Sequence, residues 1–305
     1  MRWLSDSDVE RLLTPDKARA AVSAALRAIS LGTVDMPQRL AVDRGAGPTL
    51  VMPAELDDPL ALGVKILSLR SGNSERGLPA IVGAVLLQDP GTGQPTLGMD
   101  AAVLTGRRTA ALSAVATAAL AREDAATLGV FGAGFQAFYH IEAIAAVRAL
   151  REVRSVNRSE ERARRLAERV RHELGLDAVV TSGDDAAGCD IIVTVTASAQ
   201  PVLRTVLPGR HVNLIGAYRP EAREAAAAVL AGARVYVDAM APCREEAGDI
   251  VLAASEGALS WDDVHEIGEL LLGRTEGRQD LRDVTVFKSV GCAAFDLACA
   301  ASLLG

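Results

Sequence analysis

The sequence is short of lysine, short of aromatics, and without the spacings that mark a metal site or a thiol framework. Only three of its 32 basic residues are lysines: Lys17, Lys65 and Lys288. No Lys/Arg block and no basic stripe interleaved with aromatics occurs, and the formal net charge is −7, so no nucleic-acid partner is expected. An acidic metabolite could still bind, through a few placed cations. The four cysteines (Cys189, Cys243, Cys292, Cys299) stand far apart with no CxxC, which excludes a disulfide scaffold and reads as reduced, buried thiols. His140, His172, His211 and His265 lack ligand spacing and no GxSxG occurs, so neither a metal centre nor a serine-hydrolase elbow is expected. The longest apolar run, AAAAVLAGA at 225–233, falls short of the roughly 20 residues that cross a bilayer. The start, MRWLSDSDVE, has no apolar core of a signal peptide. A soluble cytoplasmic protein with no membrane partner is the expectation.

What is present is 305 residues, half of them apolar, enough for one large core or two domains. Residues 5–31 read as helical, with a capping-box spacing at Ser5 and Asp8 and a cap followed by proline at Thr14-Pro15. Short apolar or alternating runs follow at 39–43, 49–54, 62–69 and 80–89, divided by Gly, Pro and Asp; DPGTGQP at 89–95 reads as a hairpin connection. RTAALSAVATAALARE, 108–123, reads as an alanine-rich helix, apolar nearly all round and therefore buried. From 128 the texture changes. Strands at 128–133, 153–158, 177–182, 190–196, 211–217 and 233–238 alternate with helices, near 135–149 and over the stretch that ends at Gly175. That alternation predicts a parallel sheet covered on both faces. The last segment is a strand, a Ser/Gly turn and an apolar helix, expected to return to the N-terminal part.

LGVFGAGFQAFYH, 128–140, holds Gly132, Gly134 and Ala137 as G-x-G-x-x-A. The first glycine permits a tight turn. The second lets backbone approach a pyrophosphate. The alanine lets helix pack on strand, and the helix N-terminus offers free N–H groups. Glycine turns also occur for steric reasons alone, but here a strand precedes, a helix follows and another strand comes about 20 residues on. That second strand ends Asn157-Arg158-Ser159, without the acid that usually accepts from the ribose 2′-hydroxyl of NAD. Arg158 can pair with a 2′-phosphate and its neighbours can donate to it, which points to NADPH, with NADH possible.

Two segments place cations where apolar residues belong. Lys65 lies inside LGVKILSL, where burial lowers a lysine pKa unless an anion is near. Arg107-Arg108-Thr109 falls at the expected start of the alanine helix, a place suited to a carboxylate or phosphate, one of the two arginines being solvated.

In these residues the chain resembles the ornithine cyclodeaminase/μ-crystallin family over essentially its whole length. The resemblance rests on MPQRLAVD, GVKILS, GNSERGLP, LTGRRTAALSAVA, FGAGFQA, DIIVTVTAS, LPGRHVNLIGA, RPEARE, EAGDI and VFKSVG…D, in that order. It implies an α/β fold: a Rossmann-type nucleotide-binding domain, 123–285, inserted in a split α+β substrate and dimerisation domain, 1–122 plus 286–305. It also implies a homodimer. Arg39, Lys65 and Arg108 would gather at a substrate α-carboxylate as catalytic and binding residues, with Val290 beside them. Thr109, Gly132, Gly134, Phe135, Gln136, Ala137, Asn157, Arg158, Ser159, Thr194, Thr196, Ile215, Gly216 and Ser289 would line the dinucleotide.

Two departures bear on the reaction. Cyclodeaminases of the family carry a water-activating aspartate after the fifth strand; here Tyr218 holds that place, and Leu50-Val51 stand where an acid precedes Met-Pro. Tyrosine, with an ordinary pKa near 10, is a poor base for water. The expectation is therefore an NADPH-dependent reductase of a small imino acid, Δ1-pyrroline-2-carboxylate or Δ1-piperideine-2-carboxylate. The alternatives are an alanine-type dehydrogenase, a cyclodeaminase, and a nucleotide-binding protein without turnover. Lys65 would orient or protonate the imine nitrogen, or else bind the carboxylate.

Overall fold

A computed structural model describes residues 1–43, 45, 47–77 and 81–304. It divides the chain into two units, 1–108 with 291–305, and 109–290.

The first unit is built on a mixed sheet: β1 (Arg2–Leu4), β2 (Val34–Asp35), β3 (Leu40–Val42), β4 (Thr49–Leu56), β5 (Ala61–Leu69), β6 (Ile81–Gln88) and β7 (Pro95–Asp100), in the order β1-β7-β6-β5-β4-β2 with β3 also on β4. β4 to β7 are antiparallel neighbours, and the turn between β6 and β7 is the expected one, with Gly93 at φ 71°. Alternation then sorts the side chains. Met52, Ala54 and Leu56, with Lys65, Leu67, Val85 and Leu87, turn inward and are buried. On the inner face lies the terminal helix Ala293–Ala301, packed on β4, β5, β6 and on the helix Pro15–Leu31. Ile66 and Val82 turn outward and are exposed.

The helical stretch from residue 5 is two helices, Asp6–Leu12 and Pro15–Leu31. Both expected caps are present: a complete capping box at Ser5/Asp8, and Thr14 accepting from the Lys17 N–H. The alanine helix begins earlier than its composition suggests, at Ala101, and runs to Leu120. Asp6 accepts from the Val103 N–H at 2.9 Å and so meets a free donor of its first turn. Thr105 donates back to Ala101 O at 2.5 Å, and Gly106 continues the helix. Arg107, Arg108 and Thr109 therefore lie a full turn inside the helix, away from the free donors of its N-terminus. Neither arginine is solvated: both are 7% exposed, and Arg107 pairs with Glu10 at 2.5 Å.

The second unit holds an all-parallel sheet of eight strands: β8 (Thr127–Phe131), β9 (Glu152–Val156), β10 (Asp177–Val180), β11 (Ile191–Thr194), β12 (His211–Leu214), β13 (Arg234–Val237), β14 (Val264–Glu266) and β15 (Thr285–Lys288). Their order is β10-β9-β8-β11-β12-β15-β13-β14. The order reverses between β8 and β11, and in such sheets the crevice beyond the strand C-termini at that reversal is where ligands bind. The alternation of strands and helices thus gives the expected sheet, with helices at Phe135–Ala145 and Glu160–Leu174, the latter closed by Gly175 at φ 66°. β15, the strand of the last segment, lies between β12 and β13, while the helix that follows belongs to the first unit. All four cysteines are buried, and no disulfide joins them among the described residues. Among the described residues no helix is long and apolar enough to cross a membrane, and no group of three His, Cys, Asp or Glu could hold a metal.

Candidate active site

In the first unit the strand register aims Lys65 into the interior, where it is fully buried. Its Nζ donates to Thr105 Oγ1 and to Asp296 Oδ1, each at 2.7 Å. Arg108 Nε donates to the same Oδ1 at 3.1 Å. Asp296, on the terminal helix, is fully buried too, and its Oδ2 has no hydrogen-bond partner among the described residues. Arg39, half-buried, donates from Nη2 to the carbonyl of Gly291 at 2.9 Å. Gly291 has φ 71°, and a Cβ there would run into the Arg108 guanidinium. Arg39, Lys65 and Arg108 are thus brought together around Asp296 and the Gly291 turn. Burial pulls the Lys65 pKa down to about 8; Asp296 opposes this, and the positive Arg108 and Arg39 add to it. Leu78 and Pro79 of the GNSERGLP segment lie outside the described residues.

In the second unit the glycine turn follows β8. Gly132 has φ 111°, and a Cβ on it would stand 2.7 Å from Val195 O, so both its conformation and its surroundings require glycine. A Cβ on Gly134 would meet nothing within 4 Å, which leaves open space before the helix Phe135–Ala145. Ala137 is fully buried against the sheet; Phe135 is exposed and Gln136 half-buried. At the end of β9, Asn157 donates to Ser159 O and Ser159 caps the next helix. Arg158 is exposed and forms no ion pair among the described residues. These residues fit a dinucleotide: a cradle without side chains, free N–H groups at a helix start, and no acid against a 2′-phosphate.

The remaining expected residues are committed to protein partners. Thr194 is enclosed and gives its hydroxyl to Glu224; Thr196 gives Glu224 both its N–H and its hydroxyl. Gly216 donates to the same carboxylate. Ile215 packs against the apolar core that includes Val193 and Val130. Ser289, buried, donates to Asp238 Oδ2 at 2.7 Å, and Val290 joins the apolar core that holds Leu214 and Val286. Thr109 is buried within its helix. Tyr218 is 38% exposed, its ring 5.9 Å from the Arg219 guanidinium carbon.

Sequence reasoning gave no role to Thr105, Asp296, Glu224, Asp249 or Lys288. Lys288 carried the signal that singled out Lys65, a rare lysine in an apolar strand, and it proves fully buried beside Asp249 at 2.9 Å. Asp296 stands out in the sequence as an acid in an apolar helix, with nothing there to tie it to Lys65.

A model of the ornithine cyclodeaminase/mu-crystallin family matches residues 2–303. An alanine dehydrogenase of Archaeoglobus fulgidus is 34% identical over 97% of this chain and 92% of its own. A Δ1-pyrroline-2-carboxylate reductase of Bacillus cereus is 34% identical over 97% of this chain and 94% of its own. The solved Δ1-pyrroline-2-carboxylate reductase of Thermococcus litoralis, in complex with NADH and L-proline, is 32% identical and superposes with a TM-score of 0.96 over 100% of this chain and 96% of that one.

Proposed function

This chain belongs to the ornithine cyclodeaminase/mu-crystallin family, and from that premise we propose that it is an NADPH-dependent reductase of a carbon–nitrogen double bond next to a carboxylate. The substrates are Δ1-pyrroline-2-carboxylate or Δ1-piperideine-2-carboxylate, and the products proline or pipecolate. The observation that carries this reading is the gathering of Lys65, Arg108 and Asp296 beside Arg39. The reductase of Thermococcus litoralis, with NADH and L-proline bound, supports the substrate class. Arg158, in place of an acid at the end of β9, supports NADPH over NADH.

The bound cofactor supplies the hydride. The chain's own residues do the rest. Arg39 and Arg108 hold the carboxylate by charge-assisted hydrogen bonds, and fixing the substrate in this way supplies much of the acceleration. An ammonium has three donors. Two of those on Lys65 are used by Thr105 and Asp296, and in this reading the third serves the imine nitrogen. With a pKa of about 8, Lys65 is charged at neutral pH yet gives up a proton more readily than a solvated lysine. Asp296 keeps it charged despite its burial.

We assign a homodimer through the first unit. Leu40, Val42, Ile66 and Val82 leave an apolar, exposed outer face on its sheet, suited to a second copy. NADPH oxidation measured with both cyclic imines tests the activity. Turnover with one of them is the expected result. No turnover with either, beside good activity on pyruvate plus ammonia, moves the protein to the alanine dehydrogenases.

A further inference from the structure

We infer that Glu224 is a positioning residue for the nicotinamide cofactor, tying together the chain beyond the ends of β11 and β12; this rests on the reading of the chain as a nicotinamide-dependent enzyme. Its carboxylate is fully buried and takes four hydrogen bonds. Oε1 accepts from the Thr196 N–H and hydroxyl, both at 2.7 Å. Oε2 accepts from the Thr194 hydroxyl at 2.8 Å and the Gly216 N–H at 2.5 Å. One side chain thus joins the two connections that leave the sheet beside the switch point.

Glu224 is itself held from behind. Its own N–H and that of Ala225 donate to Asp249 Oδ1 at 2.7 and 2.9 Å. Asp249 Oδ2 pairs with Lys288 Nζ at 2.9 Å, and that nitrogen also donates to Ala217 O at 2.5 Å. Lys288 ends β15, so three adjacent strand ends are braced by one buried set of two acids and a lysine. Segments RPEARE, EAGDI and VFKSVG each contribute one member: Glu224, Asp249 and Lys288. Gly216 has to be glycine here, because a Cβ would meet Thr196 O and stand 2.6 Å from Glu224 Oε1.

The chemistry of the site calls for a carboxylate. Each oxygen faces one backbone N–H, which cannot turn away. An amide in its place sets its own NH2 against Thr196 N or Gly216 N in either orientation. Burial pushes the Glu224 carboxyl upward, while Lys288 and the donors around it favour the charge.

The test uses the full chain with Glu224→Gln and, as the milder change, Thr196→Val. Affinities for NADPH, NADH and 2′,5′-ADP are measured with cofactor KM, kcat and melting temperature. The adenosine-side probe 2′,5′-ADP reads the glycine turn and Arg158, which Glu224→Gln leaves untouched, while Thr196→Val keeps the methyl group that lies beside Gly132 and removes only the hydroxyl. The expected result for Glu224→Gln is a rise of about tenfold or more in Kd and KM for both nicotinamide nucleotides, on the scale of a lost charged hydrogen bond. A smaller fall in kcat and unchanged 2′,5′-ADP binding accompany it, and Thr196→Val gives a lesser rise of the same pattern. Wild-type affinity for NADPH in Glu224→Gln overturns the inference, as does a loss of 2′,5′-ADP binding in step with NADPH. A wild-type protein that binds no nicotinamide nucleotide overturns the functional reading and this inference together.

Discussion

Lys65→Met removes the ammonium while keeping an unbranched side chain of similar length. If Lys65 supplies the proton, kcat falls about 10²- to 10⁴-fold, the usual worth of a placed general acid. That corresponds to about 3–5 kcal/mol of barrier. Stability falls as well, because removing one partner of a buried ion pair costs about 3–5 kcal/mol. Arg108 still faces Asp296 in the variant, which places the cost toward the lower end. The two effects separate in Lys65→Met/Asp296→Asn: without the stranded anion the melting temperature recovers, and the rate does not. NADPH affinity stays within about twofold in both, since the phosphate turn is intact. The pH profile gives a second readout. The active form is the protonated one, so wild-type kcat declines as pH rises through about 8, where burial has placed Lys65. Between about 8 and its ordinary value of 10.5 the unfolded chain holds a proton that the folded one has released, so this group adds stability as pH rises across that window. Both effects vanish in Lys65→Met. A variant that keeps kcat within threefold, or that keeps the alkaline decline, refutes the assignment; stopped-flow or steady-state NADPH oxidation across pH 6–10 (roughly the span of these groups) decides it.

Other outcomes follow from the same geometry. Arg158→Ala raises the KM for NADPH by about 10- to 100-fold, the worth of a charge-assisted bond, and leaves NADH nearly unchanged; steady-state kinetics with both nucleotides checks this. Gly132→Ala forces a side chain into a left-handed backbone, at a cost of about 1–3 kcal/mol before its clash with Val195 O, and lowers both the melting temperature and nucleotide affinity. Ile66→Glu puts a charge on the outer sheet face and shifts the assembly toward monomer in light scattering, with the fold retained by circular dichroism.

Much of this was legible in the residues because the signals were local. Gly132 is a turn that only glycine fits, Gly175 ends a helix at positive φ, and Ser5 and Thr14 cap where their spacing says they should. What escaped depended on partners distant in sequence. The alanine helix starts at Ala101 because Asp6, nearly a hundred residues earlier, caps it. β1 has three residues and exists through its pairing with β7. Nothing in VTVFKSV says that its strand enters the middle of a parallel sheet, since buried strands look alike from composition. Lys65 announced itself as a lysine among apolar residues. Its counterion could be found only when the terminal helix had been laid across β5.

The distribution of amines has a practical consequence. Lys65 and Lys288 are fully enclosed, which leaves Lys17 and the amino terminus as the groups that acylating or methylating reagents can reach in the closed molecule. A large share of Lys65 is nevertheless uncharged, and so nucleophilic, near pH 8. Its rate of modification, followed by peptide mass mapping, would act as a clock for opening of the interior, and ligands that keep the interior shut would slow it.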